Sequence, residues 1–183
     1  MHTLPLAFYT VVTGVGQCVL DELGQSGTLG CCDDQEGGGF RYFPHVPGDI
    51  AWDECQCGSF TQSSGQFLYS NDGREATPFF GDANCGPFYV GLDVTALILR
   101  CAPNVTEGGA SPDPGELDSA SRQWHEDASA LRQAVICCLR ELLDAGTIDN
   151  WQIVSQTSQG PQGGCVGSQL VYRIWLPYCE DCE

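Results

Sequence analysis

The sequence predicts an α+β domain: a mixed or antiparallel sheet of about four to five strands, with an N-terminal helix and one long helix packed on a face. Three observations lead there. Apolar residues recur at helical spacing near the start of the chain, a longer helical stripe fills its middle, and runs with period two stand on either side of that stripe. A length of 183 residues suits one core, and neither an internal repeat nor a second domain is visible, so residues 1–183 are read as a single domain.

Phe8, Val12, Val15, Val19 and Leu23 are separated by four, three, four and four residues, which places them on one face of a helix between Pro5 and Gly24. Gly14 and Gly16 each weaken that helix by up to about 1 kcal/mol, so it should dock on the core to persist. Residues 24–48, which hold Gly37-Gly38-Gly39, read as a loop. Strands are expected where Ile50, Trp52 and Glu54 alternate with Ala51, Asp53 and Cys55, and again at Gln66-Phe67-Leu68-Tyr69 before the turn signal Asn71-Asp72-Gly73, which opens a loop over 71–87. The clearest strand runs from Tyr89 to Cys101. Val90, Leu92, Val94, Ala96 and Ile98 share one face, Gly91, Asp93 and Thr95 the other, and Leu97-Ile98-Leu99 reads as buried on both sides.

A loop over 102–115 leads to Asp113-Pro114-Gly115-Glu116, an acidic cap with Pro in the first turn and Glu three residues on. Leu117, Trp124, Leu131, Val135, Cys138 and Leu142 mark the stripe that follows, and Gly146 ends it. Some thirty residues at about 1.5 Å each make a rod of about 45 Å. A break is expected near His125–Asp127, where polar residues crowd, and Cys137, Leu139 and Leu143 form a second apolar face. Two strands, Trp151–Val154 and Val166–Leu176, are joined by Gln159–Gly164, and residues 177–183 are a Cys-rich tail. Gly160-Pro161-Gln162-Gly163-Gly164 exceeds a tight hairpin loop and is open to two readings, a plain surface loop or a contact loop for a neighbouring subunit.

Charge is the unusual quantity: 24 acidic residues face seven basic ones, all Arg, for a formal charge of −17. Binding a phosphate backbone needs clustered basic side chains, and none cluster here. No Lys or Arg precedes Arg41 and no apolar run reaches the ~18 residues that span a bilayer, so the expectation is a protein made in the cytoplasm with no membrane span.

Twelve cysteines, at 18, 31, 32, 55, 57, 85, 101, 137, 138, 165, 179 and 182, are open to three readings. Cys138 and Cys101 are expected in the core whichever applies. Disulfides fit an extracellular particle. A zinc site would pair Cys55-Gln-Cys57 with Cys179-Glu-Asp-Cys182, but only the second half has the usual knuckle spacing. A thioredoxin-like role for Cys179 and Cys182 lacks the helix N-terminus that such a motif needs. His2, His45 and His125 sit at an end, in a loop and on a charged helix face. Gly14-Val15-Gly16 lacks the third glycine of a dinucleotide fingerprint, Asp33-Asp34 and Glu180-Asp181 lack a calcium-loop pattern, and Asn104-Val105-Thr106 is a chance sequon. No catalytic, cofactor-binding or metal-ligating residue is assigned, no cofactor is expected, and the chain is read as a non-enzyme.

Trp52-Asp53-Glu54-Cys55-Gln56-Cys57-Gly58, the strand end Ile98-Leu99-Arg100-Cys101-Ala102-Pro103, the helix with Cys137-Cys138, Trp151, and Gly160-Pro161-Gln162-Gly163-Gly164-Cys165 together carry a resemblance over residues 50–176. With these the chain resembles the cysteine-rich head-to-tail connector proteins of actinobacterial long-tailed phages. Its element order is similar to the tail-terminator type, and an adaptor or stopper ring or a zinc-stabilised binding module are the alternatives. The resemblance implies a virion protein, in the host cytoplasm during assembly, forming a homo-oligomeric ring, most simply a hexamer. Its partners would be the major tail tube protein and a neck or stopper protein, with no membrane contact, and its cysteines would be largely oxidised. DNA would pass through without specific binding, because six copies at −17 each carry −102 and repel it.

Overall fold

The computed structural model of the protein describes residues 4–25, 41–47, 58–76, 88–103, 109, 111–162 and 164–178. Helix α1 spans Leu4–Gln25, and strands β1 (Arg41–Pro47), β2 (Ser59–Ser70) and β3 (Phe88–Cys101) follow. Helix α2 (Pro114–Asp144) then precedes a hairpin of β4 (Asn150–Gln162) and β5 (Cys165–Tyr178). The strands form one sheet in the order β1-β2-β3-β5-β4. The β1–β2 pair is parallel and the other pairs are antiparallel, so the sheet is mixed and the fold is α+β.

The apolar stripe of α1 does what its spacing requires. Phe8, Val12, Val15, Val19 and Leu23 are all buried, and they face Val90, Leu92, Val94, Ala96 and Ile98 of β3 in one continuous cluster. Burying each large aliphatic or aromatic side chain contributes about 1.5–3 kcal/mol. α2 adds Leu131, Ala134, Val135 and Cys138 to the same cluster, and β5 adds Leu170, Tyr172 and Ile174. α1 packs over β1 and β2 while α2 packs over β5 and β3, so the two helices divide one face of the sheet between them.

One buried polar chain crosses that core. Tyr172 Oη donates to Gln62 Oε1 at 2.6 Å, and Gln62 Nε2 donates to the Val12 carbonyl at 3.2 Å. Every member is buried, so each needs its partner, and the chain fixes the register of α1 over β2 and β5.

Several expectations are corrected. β1 lies inside the stretch 24–48 expected as a loop, since Pro44 and Pro47 resemble loop residues and an edge strand tolerates them. β2 begins at Ser59, well before Gln66, because its first half buries Thr61, Gln62 and Ser63, polar residues that give no apolar alternation. α2 runs unbroken through His125–Asp127: Asp127 is buried and paired, so the polar crowding is satisfied internally. Leu139 belongs to the core rather than to a second apolar face, while Leu117, expected in the stripe, is 48% exposed. Cys101 is only half-buried, unlike Cys138. β4 extends through Gln162, so the expected loop 159–164 is mostly strand, with an irregularity between Gln159 and Gln162 where Gly160 takes a positive φ. Gly163, the strand over Ile50–Cys55 and the tail 179–183 lie outside the described residues.

The ends of α2 form as the sequence predicts. Asp113 accepts from the Gly115 amide at 2.7 Å while Glu116 accepts from the Asp113 amide, a capping box. At the other end, the Gly146 and Thr147 amides donate to the Leu143 and Leu142 carbonyls, and Gly146 carries the positive φ this closure needs.

Candidate functional site

Uncharged sequence is concentrated in two places. No Asp, Glu, Lys or Arg precedes Asp21, so the outward face of α1 is uncharged through Leu6, Tyr9, Thr10, Gly14 and Gln17. Leu6 and Tyr9 are 53% and 55% exposed. Thr10 and Thr13 donate their hydroxyls back to the Leu6 and Tyr9 carbonyls, at 3.0 and 2.8 Å, which occupies those donors within the helix. β2 continues the surface. It too lacks any charged residue, and its Phe67, exposed, packs edge-on against Phe8. His45 of β1 closes the patch, with its ring edge-on to Tyr9 and Nε2 2.7 Å from Ser64 Oγ. Burial lowers its pKa, which favours the neutral ring.

The second place is β4. Its 13 residues, NWQIVSQTSQGPQ, contain no charge, and it forms the edge of the sheet opposite β1. Edge strands are commonly blunted by charged side chains. Here Val154 stands 45% exposed at a register irregularity, flanked by Ser, Gln and Thr.

Between these surfaces two ion pairs tie elements together. Arg100 donates from Nε and Nη2 to both Asp127 oxygens, at 2.7 and 2.9 Å, and Gln123 adds a third donor to that carboxylate. The pair floors a cleft of about 840 Å³ between the first half of α2 and the adjoining ends of β3 and β5. Asp113 and Glu116 at its rim serve the helix cap, and Trp124 in its wall donates to the Gly167 carbonyl at 2.7 Å. On the opposite face of the sheet, Arg173 grips Asp93 at 2.6 and 3.0 Å. These ionic groups hold elements together and leave each other nearly neutral.

No protein-family model and no curated protein matches the chain. The assignment therefore rests on the geometry.

Of the residues weighed for chemistry, Cys18 and Cys138 are brought together as a disulfide, and Cys165 is disulfide-bonded as well. Cys137, beside Cys138, is an exposed free thiol. His125 is exposed on α2, its ring edge-on to Trp124. Gly14-Val15-Gly16 lies within α1. Cys55, Cys57, Cys179, Cys182, His2, Asp33-Asp34, Glu180-Asp181 and the sequon at Asn104 lie outside the described residues. Among the described residues no three His, Cys, Asp or Glu side chains gather in a way that could hold a metal ion, and no helix is long and apolar enough to cross a membrane. The sequence reading missed the uncharged character of α1 and β4 as surfaces, although the spacing of charged residues along the chain carries that signal.

Proposed function

We propose that the protein is a structural virion protein of a phage head–tail connector, most specifically the tail-terminator ring that caps the tail tube and joins it to the neck. The observation that carries this reading is the pair of uncharged surfaces, one on α1 over the β1–β2 half of the sheet and the other on the edge strand β4 at its far side. A chain with a formal charge of −17 repels copies of itself wherever its acids meet, so it associates through the parts that have none. Two unlike patches on opposite sides are what a head-to-tail contact uses, and such contacts close into rings when the rotation permits. The element order of one helix, three strands, a long helix and a hairpin supports the same reading, because it agrees with the order on which the resemblance to tail terminators was based. A ring of such subunits is strongly acidic, which suits a passage that DNA must cross without adhering.

The test is assembly without the protein. Particles made in its absence should accumulate as filled heads and separate tails under the electron microscope, with joining restored when the purified protein is added. Joined, infectious particles that lack the chain would contradict the proposal.

A further inference from the structure

Gly14 stands at an exposed position inside α1 with no reason of its own for being glycine. Its backbone is helical, and a Cβ placed there would meet no described atom within 4 Å. Alanine at such a position favours the helix by about 1 kcal/mol. A helix that forgoes this gain on its outer face, between Tyr9, Thr10 and Gln17, offers bare backbone to something that comes close.

We infer that the outward face of α1, centred on Gly14, packs against the β4 edge of a second copy of this chain. The inference deepens the ring reading and rests on it. Charge selects the occupant: α1 before Asp21 and all of β4 are free of charge, whereas a copy approaching by α2 would bring Glu116, Asp118, Glu126, Glu141 and Asp144 against its neighbour. Geometry agrees, since α1 lies over the β1–β2 half of the sheet and β4 is the opposite edge, so each copy presents both halves of the contact on different sides. β1, the other edge, contains two prolines, which cannot donate to a ladder, so direct β4-to-β1 pairing is a poor alternative. Val154, exposed at its irregularity, supplies the apolar knob, and the open backbone at Gly14 supplies the hollow.

The experiment uses two variants of the full chain, Gly14→Leu and Val154→Glu, followed by analytical ultracentrifugation and native mass spectrometry. Gly14→Leu should keep or raise the thermal midpoint by about 2–4 °C, because leucine is the better helix former. It should nevertheless lower self-association at least tenfold, a combination that a purely structural glycine would not give. Val154→Glu should do the same to assembly from the other side. Mixed in equal amounts, the two variants should form 1:1 dimers and nothing larger, since one retains its β4 edge and the other its α1 face. Tyr9→Glu and Thr157→Glu provide a second pair should either first variant fail to fold. Variants that still form rings at wild-type concentration would overturn this assignment while leaving the ring intact. Variants that each dimerise alone would overturn it in favour of a two-fold contact. A wild-type chain that remains monomeric, or that sediments with phosphatidylglycerol vesicles instead of associating, would remove the ring and this contact with it.

Discussion

Cys18 on α1 and Cys138 on α2 are joined by a disulfide that spans 120 residues of sequence, their Cα atoms 6.0 Å apart. The bond ties the helix over the β1–β2 half of the sheet to the helix over the β5–β3 half. It therefore holds the outward face of α1 in a fixed relation to the edge at β4.

A cross-link closing so long a loop restricts the unfolded chain strongly. Replacing both residues by Ala should cost about 4–5 kcal/mol, read as a drop in the denaturant midpoint under oxidising conditions. A maleimide should label Cys137 in the native wild-type protein, and in denaturant it should still leave Cys18 and Cys138 unlabelled until reductant is added. Equal labelling of all three in denaturant without reductant would contradict the bond.

The two tyrosines on the core face titrate above their ordinary range. Burial, with the negative charge of Asp21 adding to it, pushes the Tyr42 hydroxyl up to about 12, and burial pushes Tyr172 up further, with Tyr42 adding. Above pH ~10 the unfolded chain releases these protons while the folded chain keeps them, so their contribution is complete below that pH and is lost as pH rises from there through the folded value of Tyr42, about 12. The denaturant midpoint should fall from about pH 10 up to about pH 12, in step with tyrosinate absorbance. Tyr42→Phe should flatten part of that fall. At neutral pH it should be neutral or stabilising, because the Tyr42 hydroxyl is buried with no hydrogen-bond partner among the described residues. Tyr172→Phe should cost about 1–3 kcal/mol, because it removes a buried hydroxyl that donates to the Gln62 oxygen.

Asp127 is 3% exposed at its side chain and holds Arg100, which is 13% exposed. Asp127→Ala removes the carboxylate that both Nε and Nη2 of this half-buried guanidinium hold and should destabilise by about 3–5 kcal/mol. The double replacement Arg100→Met with Asp127→Leu should recover most of the loss, since it removes both charges together and leaves apolar side chains to hold α2 on the sheet. A double variant as unstable as the single one would contradict this role.

Gly167 has no room for a side chain: a Cβ there would collide with the Ile98 carbonyl oxygen on β3. Backbone in the middle of a sheet does not yield easily, so Gly167→Ala should cost about 3 kcal/mol or more. It should also release the indole of Trp124, which donates to the Gly167 carbonyl, and the change in Trp fluorescence would report that release.

The helices, β3 and β5 were legible in the sequence because their burial is written in apolar spacing. Phe8 to Leu23 and Val90 to Ile98 each show one period without interruption, and the stop at Gly146 is a local signal. β1 and the first half of β2 were not legible for the opposite reason. Thr61, Gln62 and Ser63 are buried through partners far away in sequence, such as Tyr172, and local pattern cannot reveal them. Asp127 misled in the same way, since a polar residue in a helix looks like a break until Arg100 is seen to meet it. The assembly surfaces were half legible. Their lack of charge is in the sequence, but that α1 and β4 lie on opposite sides of the sheet follows only from the strand order β1-β2-β3-β5-β4.

The most direct test of the account is the mass of the purified protein in solution under native conditions, alone and with the tail tube protein. The account predicts a closed species of six copies of the 19.7 kDa subunit, unchanged on dilution through the micromolar range. A single species at 19.7 kDa in both conditions would contradict it.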